Sequence, residues 1–93
     1  MIERAAGRLS VHSAMVTDNA RALFESGCAL MVAGEQVFDL SAVDEADSSA
    51  VAVMLGWLRH APTVGAQVRF AGIPAGVLSL AELYGTAELL PQA

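Results

Sequence analysis

Hydrophobic periods of two residues and of 3.6 residues alternate along this chain, and that alternation constrains its fold more than any other feature. Arg8-Leu9-Ser10-Val11-His12 alternates polar and apolar, the period of a strand with one buried face. Thr17 or Asp18 then offers an N-cap, and Ala20, Leu23, Phe24, Gly27, Cys28 and Met31 recur at helical spacing until Gly34 stops the pattern. Gln36-Val37-Phe38-Asp39-Leu40 reads as a central strand running into an acidic loop. Ser48 or Ser49 caps a second helix through Val51, Met54, Leu55 and Leu58, which ends near Ala61-Pro62. Gln67 to Ala71 predicts a third strand. After a turn at Gly72-Ile73-Pro74, the residues Val77, Leu80, Ala81 and Tyr84 form the stripe of a last helix, with Gly85 at C′. Strands alternating with helices over 93 residues predict one α/β domain, residues 1–93, a small mixed β-sheet with helices packed against it.

Composition narrows the function. Hydrophobic residues make up 55% of the chain and charged residues 16%, far from a disordered balance and more apolar than one small core can bury, so some apolar surface is expected to face a partner. The five basic residues are scattered arginines against ten acids, a net charge of −5, which argues against nucleic acid and against direct binding to an anionic membrane. Apolar runs such as Ala50 to Leu55 fall far short of the roughly 20 residues that span a bilayer, and no apolar signal segment follows Met1. The single Cys28 excludes an internal disulfide and a cysteine zinc cluster, and His12 and His60 are too separated to suggest a ligand pair. The expectation is a cytoplasmic protein with no metal and no cofactor. It has neither a Walker loop nor a G-x-G-x-x-G, so any nucleotide hydrolysis belongs to a partner. Ser48 beside Asp47 lacks a histidine placed to act as base, so no enzyme is expected.

The informative stretch runs from Val37 to Val51 and joins a strand, an acidic loop and a helix opening on two hydroxyls. On residue chemistry alone, one serine is a cap whose hydroxyl accepts a bond from a free backbone N–H, beside a helix dipole that favours an anion. The helix that follows is apolar on two faces. Val51, Met54, Leu55 and Leu58 form the stripe expected to meet the sheet, while Ala50, Val53 and Trp57 form a second line. Val53 and Trp57 lie one turn apart, and their patch is covered either by a neighbouring helix or by another chain.

Asp39-Leu40-Ser41 and Asp47-Ser48-Ser49, set apart by a short spacer and opening an apolar helix, resemble the signature of STAS domains, the family of sulfate transporters and anti-sigma factor antagonists. Ala50 departs from the glycine common after the paired hydroxyl positions. Leu80-Ala81-Glu82-Leu83-Tyr84 followed by Leu90-Pro91 is similar to the tail of the MlaB branch of that family. This resemblance implies a non-catalytic subunit that binds and supports the ATPase of an Mla-type phospholipid-transport ABC complex, which maintains outer-membrane lipid asymmetry. Such a subunit is cytoplasmic and associates with the inner membrane only through its ATPase. Asp47, Ser48 and Ser49 would then join Val53 and Trp57 as partner-binding residues, with Ser48 at the contact. The antagonist branch implies the alternative, a partner anti-sigma factor kinase that phosphorylates Ser49. Asp44, Glu45 and Asp47 would oppose the added phosphate charge.

Overall fold

Two crossover helices, each returning the chain to a parallel neighbour, explain the alternating periods. The computed structural model describes residues 1–93. A four-stranded mixed sheet runs in the order β1 (Ile2–Ala5), β2 (Arg8–Val11), β3 (Gly34–Asp39) and β4 (Ala66–Ala71). β1 is antiparallel to β2, whereas β2, β3 and β4 are mutually parallel. The helices are α1 (Ala20–Leu30), α2 (Ser49–His60) and α3 (Ala75–Leu83). Short 3-10 turns at Thr17–Asn19, Ala61–Val64 and Ala87–Leu89 complete the chain.

β1 has no counterpart in the sequence reading. Only Ile2 of its four residues is part-buried, so no apolar alternation announces it, and it exists because β2 offers a free edge. The Ala6-Gly7 turn between them holds both residues at positive φ, 52° and 76°, the signature of a tight type I′ hairpin. The other expected elements are present, most ends shifted by a residue or two, but α1 ends at Leu30 with Met31 already extended, and Gly34, expected to stop that helix, opens β3 instead. Gly85, at φ 70°, follows α3 as its left-handed stop.

One sheet face is buried and the other open, as the period of two requires. Register places Leu9, Phe38 and Phe70 in one cross-strand row beneath the helices. The open face carries the row Arg8, Val37 and Arg69, with Arg8 3.6 Å from Asp39.

Trp57 lies on the buried Leu9-Phe38-Phe70 row. It is fully buried, its ring stacked 4.1 Å from that of Phe38 and nearly parallel to it at 10°, and its indole Nε1 donates to the Phe24 carbonyl of α1 at 3.1 Å. This corrects the expected orientation of α2 in part. Val51 and Met54 of the expected inward stripe are buried, and Ala50 and Trp57 of the second line with them, while Leu55 and Leu58 of the stripe stay half-buried. Val53 is buried too, so Val53 and Trp57 do not form the wet patch expected of them: α1 covers the indole, and Val53 reaches the surface only in the wall of a hollow between α1 and α2. The helices approach closely because glycines meet aromatics. Gly27 of α1 lies directly over the Trp57 indole, and Gly56 of α2 beneath the Phe24 ring.

Candidate partner-docking site

Parallel strands bring their carboxyl ends, and the loops that leave them, to one edge of the sheet, which is where α/β folds build sites. The loop before α1 and the loop before α2 are bonded to each other there. Met15 N–H donates to the Glu45 carbonyl at 2.9 Å and Asp47 N–H to the Met15 carbonyl at 3.1 Å, a short parallel bridge. The third loop presses on the same edge. Gly72, at φ 63°, has no room for a Cβ, which would stand 3.0 Å from the Ser41 backbone, so only glycine fits.

Asp47 organises this edge. Its Oδ1 accepts from Ser49 N–H at 2.8 Å, and its Oδ2 accepts from Thr17 N–H at 3.0 Å and from the Thr17 hydroxyl at 3.2 Å. The Thr17 and Ser49 hydroxyls are 2.8 Å apart. These bonds, led by the Thr17 and then the Ser49 backbone N–H, hold the Asp47 carboxyl below the usual aspartate range, since donors favour the charged form. Asp39 is lowered in the same way, chiefly by the Ser41 hydroxyl at 2.7 Å and the Ser41 N–H at 3.0 Å.

The expected serine cap is therefore corrected. Ser48 occupies the N-cap position in a helical conformation, φ −59° and ψ −21°, from which its hydroxyl makes no capping bond. The carboxylate of Asp47 caps instead, because the helix dipole and the free N–H groups favour an anion over a hydroxyl. This separates the two serines. Ser49 is half-buried and tied to Thr17, whereas Ser48 is exposed with its hydroxyl unengaged.

Ser48 also stands at the rim of an open groove of about 390 Å³, shared with Val51, Ala52, Leu55, Tyr84 and Thr86. A second hollow of about 400 Å³ continues along the same flank of α2 past Leu55, Leu58, Arg59 and Leu89. Leu83, Tyr84 and Leu89 expose 77%, 52% and 58% of their surface, three of the five large apolar residues that the chain leaves in water. Tyr84, expected in the inward stripe of α3, thus lies on this surface instead. Sequence reasoning also missed Thr17 as part of the site, since 30 residues separate it from Asp47.

A family model described as "Mlab, STAS domain" matches residues 1–91. The chain belongs to the STAS-domain family. STAS domains are in general non-catalytic regulatory or accessory modules that act through protein–protein contacts. Its fold is similar to that of solved STAS structures. The crystal structure of a Thermotoga maritima protein assigned as an anti-sigma factor antagonist aligns with a TM-score of 0.73 at 12% identity, over 99% of this chain and 83% of that one. The anti-sigma factor antagonist SpoIIAA in its unphosphorylated form aligns with a TM-score of 0.71 at 12% identity, over 100% of this chain and 86% of that one. No curated protein sequence matches this chain. No helix of this STAS domain is long and apolar enough to cross a membrane.

Proposed function

We propose that this chain, a single STAS domain, is the non-catalytic subunit that binds and supports the ATPase of an Mla-type phospholipid-transport ABC transporter, serving outer-membrane lipid asymmetry from the cytoplasmic side. The observation that carries the reading is Ser48, an exposed and unbonded hydroxyl on the rim of an apolar groove bordered by Leu55 and Tyr84. A hydroxyl free of internal bonds can enter a contact without breaking the helix start, and the apolar residues beside it supply the area a stable contact needs. Asp47 and Ser49 shape this contact from below by fixing the first turn of α2. The family description points the same way.

Replacement of Ser48 by arginine is the direct test. Because Ser48 makes no capping bond, Ser48→Arg is expected to leave stability within about 0.5 kcal/mol of the parent. Co-purification with the ATPase is expected to be lost. A folded Ser48→Arg chain that still captures the ATPase at full strength defeats the reading.

A second reading, an anti-sigma factor antagonist phosphorylated at Ser49 by a partner kinase, rests on the Ser49 position within the family pattern. The geometry weighs against it, since phosphorylation would break the Ser49–Thr17 bond beside an ionised Asp47. The expected result of intact-mass analysis on protein from its native host is an unmodified chain, and a substantial phosphorylated population mapped to Ser49 selects the second reading.

A further inference from the structure

Across Ala52 from the Ser48 groove, on the side of α2 that faces α1, lies another hollow of about 380 Å³. Its middle is the Phe24 ring lying on Gly56, and Val53 and Ala20 extend the apolar wall. Arg21 and Arg59 stand on its rim. Thr17 meets Ser49 and Phe24 meets Gly56, so the two helices run side by side in the same direction and Arg21 is level with Val53. Arg59 lies six residues further along α2, about 9 Å at 1.5 Å per residue, with the Phe24 ring between the two.

The charges at this hollow are unusual for the chain. It has only five basic residues against ten acidic ones, yet two of the five border one apolar groove. Arg59 has no carboxylate within ion-pair distance, and Arg21 has only the exposed Glu25 of its own helix at 3.6 Å, a pair too solvated to hold it. An apolar floor with a free cation at either end selects an apolar side chain flanked by carboxylates. On a helix, acids seven residues apart share a face about 10.5 Å apart, and an apolar residue midway between them falls on that face.

We infer that the α1–α2 groove is a second contact with the partner ATPase and takes an acidic amphipathic helix, whose central apolar side chain packs on Phe24 while its flanking carboxylates meet Arg21 and Arg59. The inference rests on the reading of the partner as an ATPase and adds where and by what chemistry that partner is held. Ser48 does not line this groove but the neighbouring one, with Ala52 on the border of both. A protein helix is favoured over an anionic membrane because the rest of the chain is acidic and would be repelled by a charged bilayer.

The test measures equilibrium affinity of the purified chain for the ATPase of its host's phospholipid transporter, at low and high salt, for the parent, Ser48→Arg, and the Arg21→Glu/Arg59→Glu double variant. The double variant is expected to stay folded with a slightly lower melting temperature, because both sites are exposed but the Arg21–Glu25 pair and a last-turn cation of α2 are lost, and to bind about tenfold or more weaker. The parent's affinity is expected to fall with salt and the charge-reversed variant's to rise with it, as attraction in the one and repulsion in the other are screened. Should the double variant melt early, Arg59→Gln supplies the same reading with an expected loss of about threefold. Parent-like affinity and salt dependence in the charge variants, with binding still abolished by Ser48→Arg, overturns the groove contact and leaves the proposed function standing. A parent chain that binds no ATPase overturns both. Binding of the parent to phosphatidylglycerol-containing vesicles that is lost in the double variant reassigns the groove to lipid and also overturns the inference.

Discussion

Trp57 shows how much one side chain decides in a core this small. From α2 it ties β3 to α1, stacked on Phe38 of the sheet, beneath Gly27 of α1, and donating to the Phe24 carbonyl of the same helix. Trp57→Ala removes the largest fully buried side chain and is expected to cost about 3–5 kcal/mol, read as a shift of the urea midpoint. ATPase binding per folded molecule should be unchanged, since the indole is covered by its own chain. Gly27→Ala tests the same packing from the other side. A Cβ there would come 2.2 Å from the indole nitrogen, so the tryptophan must move and its hydrogen bond with it. The alanine adds helix propensity worth about 1 kcal/mol, and overpacking of this kind costs about 1–3 kcal/mol. Net destabilisation is therefore expected, and a Gly27→Ala chain more stable than its parent contradicts the close approach of α1 to α2.

At the scale of elements, the hairpin of β1 and β2 rests on an alanine where a residue tolerant of positive φ belongs. Ala6 sits at φ 52°, a conformation that costs an L-residue roughly 1–2 kcal/mol unless its side chain bonds locally. Ala6→Asn ahead of Gly7 restores the Asn-Gly pair that type I′ turns favour and is expected to raise stability by about 0.5–1 kcal/mol. Ala6→Val is expected to lower it, because a β-branched residue is a poor fit to that region. Chemical denaturation of both variants checks the turn, and equal midpoints for asparagine and valine would show that the backbone relaxes out of it.

For the molecule as a whole, the loops at the carboxyl edge of the sheet are held by carboxylates, which links stability to pH. Asp39 and Asp47 both ionise more readily in the folded chain, through bonds from Ser41 and from Thr17 and Ser49. Their contribution is present above the ordinary aspartate value of about 3.9 and is lost as pH falls through the lower folded values, where the folded state must also take up protons. Urea midpoints measured from about pH 6 down to about pH 2 are expected to fall steeply below about pH 4. Asp47→Asn should be less stable at neutral pH and show a shallower fall. An Asp47→Asn profile parallel to the parent's over that range removes Asp47 from the linkage.

Local periodicity was enough to determine the order of β2, α1, β3, α2, β4 and α3, because each element's pattern lies within a few adjacent residues. The aspartate-serine-serine opening of α2 was legible for the same reason. Tertiary structure decided everything that depended on a choice between equally good local options. Both faces of α2 are apolar, and the inward one was selected by the Leu9-Phe38-Phe70 row below and by the glycine of α1 that admits Trp57 above. β1 became a strand only because β2 had an edge to pair, and the Asp47 carboxylate that caps α2 through one oxygen is held in place through the other by Thr17, 30 residues away. Such choices turn on contacts between residues distant in sequence, whose distances no single segment encodes.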